Sequence, residues 1–193
     1  MDVLRSKSMD RNSYDSGDWF NRLDWTATDN YFGTGLPPQR DNGASWALMR
    51  PRLADPALRP GPAQIAWTRD AFLDLLRIRA SSTLFRLRSA DEVVARLRFP
   101  NTGPTQVATV LAGQLDGAGY PGAGFRELLY LVNVDTRPRE LTLPAEQGKA
   151  WHLHPVHLAP AAADPRPASA ARYDAASGRF ATPPRTALVW VID

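Results

Sequence analysis

The first sixty residues of the chain show almost no hydrophobic periodicity, and this constrains the fold more than any other feature of the sequence. Glycine and proline interrupt the segment at short intervals, at Gly17, Gly33, Gly35, Pro37, Pro38, Gly43 and Pro51. These residues mark turns and irregular backbone. A long irregular segment is unusual in a compact domain, because its backbone polar groups need a scaffold that satisfies them. We therefore expect this segment to depend on structure that it does not itself form.

Within that segment, residues 5–25 combine large rings with polar side chains. Trp19, Phe20 and Trp25 stand among Asp, Arg, Asn and Ser residues. Rings that stack and polar groups that hydrogen-bond hydroxyls are what a sugar-binding surface requires. The composition of this loop therefore predicts a carbohydrate-binding surface.

Charge and cysteine content argue against several other classes of protein. The formal net charge is only +3, and the arginines are spread along the chain beside acids, so we expect no nucleic-acid partner. The absence of cysteine excludes disulfides, a thiolate metal site and a cysteine nucleophile. No stretch approaches the ~20 apolar residues of a membrane span, and the first residues do not read as a signal peptide. We expect no membrane partner, and the cellular compartment stays open.

Periodicity predicts one helix followed by a β-rich region. The helix is entered through residues 60–62, ends at Ser81 and Ser82, and carries Ile65, Phe72 and Leu76 as a core-facing stripe. Short extended runs follow at 93–99, 106–115, 128–134, 140–143, 150–158 and 186–192. A hairpin is predicted at 173–180, and an Ala/Pro-rich exposed loop at 159–171. Short strands without intervening helices indicate an antiparallel sandwich or barrel, and they place the boundary near residue 84.

Three histidines superficially suggest a metal site. His152 and His154 lie on one face of a predicted strand, and His157 is close by. No Asp, Glu or Cys stands at a complementary spacing, so we predict that they bind no metal. No glycine-rich phosphate loop follows a strand, and the serines lack a nearby His–Asp context. We expect no cofactor.

Several motifs together resemble one known family. Residues 4–21 read Leu-Arg-Ser-Lys-Ser-Met-Asp-Arg-Asn-Ser-Tyr-Asp-Ser-Gly-Asp-Trp-Phe-Asn, and the likeness continues through residues 33–37, 75–79, 81–86 and 99–103. This pattern closely resembles pullulanase-type α-1,6-glucosidases of the α-amylase superfamily. The resemblance covers essentially the whole chain.

The resemblance implies a mixed fold and a function in debranching. Residues 1–83 would be the tail of a catalytic (β/α)8 barrel, namely the loop after the eighth strand and the last helix. Residues 84–193 would be an all-β antiparallel sandwich domain. The complete enzyme would hydrolyse α-1,6-glucosidic bonds in pullulan, starch or glycogen, with an α-glucan as its partner. Its catalytic Asp, Glu and Asp would lie upstream of Met1, so we nominate no catalytic residue and expect the chain alone to be inactive. A separately encoded barrel portion is a further possible partner.

The resemblance also implies substrate-binding residues. Family members use an Asp-x-x-x-Arg spacing in this loop to bind a sugar, and Asp18 and Arg22 have that spacing, with Trp19 available to stack on a sugar ring. The alternative is a salt bridge within the loop, with Trp25, Tyr31 and Phe32 anchoring it. The alternative function is a stand-alone carbohydrate-binding or interaction module built on the β-sandwich.

Overall fold

The computed structural model describes residues 2–193, and its backbone contacts divide the chain into two compact units. The N-terminal unit ends at Phe72, and the second unit is Leu73–Asp193. This division falls inside a helix, upstream of the domain boundary between residues 83 and 84. That boundary stays a prediction. Among residues 2–193, no helix combines the length and the apolar content needed to cross a membrane.

Side-chain hydrogen bonds organise much of the irregular N-terminal unit. Its helices are short: α1 is Gly17–Asn21, α2 is Gln39–Asn42 and α3 is Trp46–Leu53, with 3-10 turns at Ser13–Asp15, Gly43–Ser45 and Pro56–Leu58. Asn42, which is buried, accepts a hydrogen bond from the backbone N–H of Arg11 and donates to Asp10 and to the Pro38 carbonyl. Buried Ser8 accepts one from the backbone N–H of Thr34. These side chains supply hydrogen bonds to backbone groups that helices and strands would otherwise satisfy.

The predicted long helix is α4, Pro62–Ser81. Ile65 on this helix is buried, but Phe72 and Leu76 are each 43% exposed. The prediction of a core-facing stripe was therefore wrong for Phe72 and Leu76 within this chain. Ile78 is buried instead, beside a sheet of the second unit.

The second unit contains two antiparallel sheets. Its strands are β1 Leu97–Arg98, β2 Val110–Asp116, β3 Glu127–Asn133, β4 Arg139–Thr142, β5 His152–Leu153, β6 Arg172–Asp174, β7 Arg179–Thr182 and β8 Thr186–Ile192. One sheet has the order β1-β2-β3-β8-β5 and the other β4-β7-β6. The hairpin predicted at 173–180 is the β6–β7 pair. The antiparallel β-rich region is confirmed.

Each face of the larger sheet builds its own core, because successive side chains of a strand point to opposite faces. Leu129 and Trp190 contribute to a cluster that also contains Leu141 and Phe180 from the smaller sheet. Leu128 and Val191, on the opposite face, pack in a second cluster with Ile78 and Leu84. The first cluster joins the two sheets, and the second joins the larger sheet to the end of α4 and the segment after it.

Three local predictions in this unit were wrong. Residues 93–99 form mainly helix α5, Ala90–Arg96, because Ser89 and Glu92 make a capping box that starts a helix. In the run 150–158 only β5 is extended, since Pro155 opens helix α6, Pro155–Leu158, with the His154 side chain as its cap. The loop 159–171 contains helix α7, Arg166–Ala170, and its Pro167 is fully buried.

Candidate functional site

The predicted sugar-binding residues lie on or beside helix α1. Gly17 begins this helix in the left-handed region, at φ 73°, and Asp18 occupies its first turn. Arg22 follows the last residue, and its backbone N–H donates to the Asp18 carbonyl at 2.8 Å. One short turn therefore brings Asp18, Trp19 and Arg22 together.

The Arg22 guanidinium lies between two aromatic rings. Its central carbon is 4.0 Å from the centroid of the Trp19 ring and 3.9 Å from that of Tyr31. Contacts of this kind hold a cation through the negative face of each ring. The Trp19 indole is fixed in turn, because its N–H donates to the Thr34 carbonyl at 2.9 Å. Arg22 is thus positioned by stacking.

The carboxylate of Asp18 is exposed and has no hydrogen-bond or ion-pair partner among residues 2–193. The salt bridge within the loop, considered above as the alternative, is not formed. The Nε atom of Arg22 is buried and also lacks a partner within the described chain. The turn therefore presents an unpaired carboxylate beside a stacked guanidinium whose Nε donor is buried.

The other rings of the loop divide into two groups. Tyr31 and Phe32 are partly buried, and Tyr31 anchors the loop by covering Arg22. Trp25 is 88% exposed, so its prediction as a loop anchor was wrong within this chain. The role of Tyr31 at Arg22 was missed, because no periodicity or motif spacing connects these two residues. The backbone of Tyr31 adopts φ 58°, which is uncommon outside glycine, and its N–H donates a hydrogen bond to the Asp29 carboxylate.

The three histidines do not form a ligand cluster. Within residues 2–193, no group of three or more His, Asp or Glu residues is arranged to hold a metal ion. The Nδ1 atom of His154 accepts a hydrogen bond from the Val156 N–H at 3.2 Å, and Nε2 of His157 accepts one from the Val189 N–H at 3.1 Å. Burial lowers the pKa of His154 to about 4 and also lowers that of His157. Both rings are neutral acceptors built into the backbone framework.

A close Ser–His pair is likewise structural. Ser81 Oγ lies 2.9 Å from His154 Nε2. Because Nδ1 already accepts a backbone N–H, the neutral ring carries its proton on Nε2 and donates it to the serine. A general base must do the opposite and accept the serine proton. Ser81 donates onward to the Ile78 carbonyl of its own helix at 2.7 Å, and its contact with His154 ties the end of α4 to the residue that follows β5.

The fold defines a class of protein, in which a unit of two antiparallel sheets follows, along the chain, a long helix and an irregular segment rich in aromatic residues. A family model described as alpha-1,6-glucosidases, pullulanase-type, C-terminal, matches residues 27–193. The chain belongs to this family. Asp18, Trp19 and Arg22 precede the matched region.

Individual relatives extend the similarity to nearly the whole chain. The chain is 42% identical over 197 residues to the chloroplastic pullulanase 1 of Arabidopsis thaliana, covering 98% of this chain and 20% of that protein. It is 34% identical over 157 residues to a pullulanase of Klebsiella pneumoniae, covering 80% of this chain and 14% of the relative. The crystal structure of Klebsiella pneumoniae pullulanase complexed with maltotriose superposes with a TM-score of 0.83 at 30% identity, over 99% of this chain and 18% of that one. The chain spans a fifth or less of the length of these relatives.

Proposed function

We propose that this chain acts as the C-terminal portion of a debranching enzyme that hydrolyses α-1,6-glucosidic bonds in pullulan, starch or glycogen. Family membership carries the proposal, supported by two relatives that are named pullulanases and that align over most of this chain. The catalytic Asp, Glu and Asp of the complete enzyme lie in another segment. This chain alone is catalytically inactive.

In this proposal, residues 1–83 complete a (β/α)8 barrel and residues 84–193 form the sandwich domain that follows it. Two features of residues 2–83 support the assignment, the first of them in the N-terminal unit. Its backbone is largely irregular, as expected of a long loop at the C-terminal face of such a barrel, where substrate is bound. Helix α4 exposes Phe72 and Leu76, as expected of a barrel helix that packs on strands supplied by the rest of the enzyme.

The role of the α1 turn is substrate binding. A retaining glycosidase needs a nucleophilic carboxylate and an acid on either side of the scissile bond, and both act only on a correctly placed sugar. The Asp18 carboxylate accepts hydrogen bonds from two hydroxyls of one glucose unit, and Arg22 donates to a neighbouring oxygen. Trp19, with 55% of its surface exposed, stacks on the pyranose. The maltotriose bound by the Klebsiella pneumoniae pullulanase is a ligand of this class.

A chimeric enzyme tests this role. This chain replaces the aligned C-terminal segment of the Klebsiella pneumoniae pullulanase, and kcat/KM is measured on pullulan. We expect Asp18→Asn to lower kcat/KM by about ten- to a hundred-fold, the cost of losing charged hydrogen bonds. The matched control is Asp15→Asn, which alters an exposed acid of the same loop that pairs only with exposed Arg40. Equal activities of the two variants would contradict the assignment of Asp18.

The alternative, a stand-alone carbohydrate-binding module, predicts different behaviour of the isolated chain. Under the debranching proposal, the purified chain releases no reducing ends from pullulan, and limited proteolysis removes residues 1–83 before it cuts the sandwich domain. A stand-alone module would resist proteolysis along its whole length. Reducing-end release above a mock-purified control would contradict both functions, because each treats the isolated chain as non-catalytic. Adding a barrel portion encoded separately should restore hydrolysis if the enzyme is split between two chains.

A further inference from the structure

A second cleft lies in the β unit and contains none of the residues of the α1 turn and none of the three histidines. It has a volume of about 770 Å³ and opens where the ends of β2 and β3 meet the segment after β4. Ligand sites in proteins fall in this range of volume and combine apolar surface with a few fixed polar groups. The cleft has both components.

One ammonium group organises the polar side of the cleft. Lys149 Nζ lies 2.8 Å from Glu127 Oε2 and 2.9 Å from Glu146 Oε2. Trp151 Nε1 donates to the same oxygen of Glu146 at 3.1 Å, and Gln114 Nε2 donates to the same oxygen of Glu127 at 2.8 Å. Partial burial lowers the pKa of Lys149, but its bonds to the two glutamates outweigh this and raise the pKa above its ordinary value. The ammonium therefore stays charged and holds both carboxylates in place.

These bonds leave hydrogen-bonding groups of both kinds available to a ligand. The Oε1 atoms of Glu127 and Glu146 have no hydrogen-bond partner within the described part of the chain. The guanidinium groups of Arg98 and Arg126 line the cleft and likewise have no partner among residues 2–193. Glu127, whose side chain is partly exposed, thus offers a fixed acceptor in the same cleft as two donor groups, while the buried Glu146 holds Lys149 in place.

The apolar component is the ring of Phe99. It lines the cleft and is 49% exposed, although it adjoins the end of β1. An exposed ring beside hydrogen-bonding groups offers a flat face on which the C–H surface of a sugar can stack.

The charges of the lining select the class of ligand. The lining contains charges of both signs: four cationic side chains, Arg96, Arg98, Arg126 and Lys149, and three carboxylates, those of Asp116, Glu127 and Glu146. An anion would be repelled by the carboxylates and a cation by the guanidinium groups. A neutral ligand with many hydroxyls uses both kinds of group without an unpaired charge.

We propose that this cleft is a second carbohydrate site, which binds a short segment of α-glucan through Phe99, the Glu127–Lys149–Glu146 bridge and the arginines Arg98 and Arg126. The chemistry of the cleft indicates a neutral polyhydroxylated ligand, and the choice of an α-glucan rests on the proposed function. Such a site holds the polymer at a place other than the α1 turn, so that a long glucan contacts the protein twice.

Affinity electrophoresis of the full chain in gels that contain pullulan tests the proposal. We expect the chain to be retarded, and Phe99→Ala and Arg126→Ala each to weaken the apparent affinity about five-fold or more, as the loss of one ring or charge contact would. Tyr14→Ala is the matched control, because this ring is 94% exposed and lies outside the cleft. It should migrate like the unchanged chain.

Three results would overturn the proposal: no retardation of the unchanged chain, retardation unaffected by both cleft variants, or stronger retardation by dextran sulfate than by pullulan. Failure of the proposed function is distinguishable from each. That failure appears in the chimera, where Asp18→Asn would lower the rate of pullulan hydrolysis no more than the control variant Asp15→Asn does, whatever the gels show. If Phe99→Ala abolishes retardation while Asp18→Asn leaves hydrolysis by the chimera unchanged, the cleft site is supported and the role of Asp18 is contradicted.

Discussion

We expect the protonation of His154 to couple pH to the stability of the β unit. Its ring is 2% exposed, accepts the Val156 N–H on Nδ1 and donates to Ser81 from Nε2. A proton on Nδ1 would break the first of these bonds and place a positive charge in the core, against the edge of the Phe125 ring. Folding therefore requires the neutral ring.

The size of the effect follows from the two pKa values. Burial, followed by the neighbouring His157 and His152, lowers the pKa of His154 from 6.5 in the unfolded chain to about 4. Between these values the unfolded state binds more protons than the folded state. The contribution of this ring to the free energy of unfolding is therefore fully present above pH 6.5 and is lost as the pH falls toward 4. At a pH of about 5, this single group should cost about 2 kcal/mol relative to a pH of about 7.5.

Urea unfolding at both pH values measures this cost. Near-UV circular dichroism is a suitable signal, because Trp151, Tyr173, Phe180 and Trp190 are clustered in the core of the β unit. His154→Gln keeps a side-chain acceptor without the titration, so its loss of stability on acidification should be smaller than that of the unchanged chain by about 2 kcal/mol. The comparison cancels the contribution of His157, whose pKa is also lowered by burial.

The control is Leu111→Ala, which changes a 52% exposed side chain on β2 and should leave the pH dependence as it is. Two results would refute the reasoning. One is equal stability of the unchanged chain at both pH values. The other is a pH-dependent loss in His154→Gln as large as that of the unchanged chain.

Two further predictions concern the sheets. Gly113→Ala would place a Cβ 2.1 Å from the Tyr130 ring, so we expect the free energy of unfolding in urea to fall by about 1–3 kcal/mol. Tyr130→Ala should relieve this clash in the double variant, and additive losses would contradict the steric cause. Phe180→Ala removes a fully buried ring that stacks on Tyr173 at 4.6 Å, and it should cost about 3–5 kcal/mol; a loss below about 1 kcal/mol would show that this core is not tightly packed.

The strands best predicted from the sequence are those whose burial is most complete. The runs at 128–134 and 186–192 correspond to β3 and β8, which are central in the larger sheet and supply fully buried residues to both cores. A central strand with both faces covered must be apolar throughout, and this leaves a strong signal. Strands β1 and β5 have two residues each at the sheet edges, so little sequence determines them.

Local capping signals explain the main error in the β unit. The run 93–99 alternates as a strand does, yet the capping box of Ser89 and Glu92 starts a helix there. The hydrogen bonds of such a box act before any sheet contact forms, so they outweigh a short alternating pattern. The spacing Ser-x-x-Glu was visible in the sequence and could have identified α5.

The proposed substrate-binding turn was identified by resemblance and by residue type, but its geometry was not. The Asp-x-x-x-Arg spacing of the family marked Asp18 and Arg22, and a salt bridge between them was the alternative. The structure places Arg22 between the Trp19 and Tyr31 rings, and the Asp18 carboxylate has no partner among residues 2–193. Predicting that arrangement would have required the path of the loop at Tyr31, whose positive φ no sequence pattern specifies.

The stacked arrangement is better suited to binding a sugar than the alternative salt bridge would be. A carboxylate paired with a guanidinium must break or share that contact to accept sugar hydroxyls, and an exposed pair gains little from forming it. Stacking instead fixes Arg22 through the faces of two rings, and the Asp18 oxygens have no partner in the described part of the chain. The turn is therefore preorganised, and little further ordering of these side chains is needed when substrate binds. Under the proposed function, Tyr31 would contribute to substrate binding without touching the sugar, since it secures the second face of the arginine.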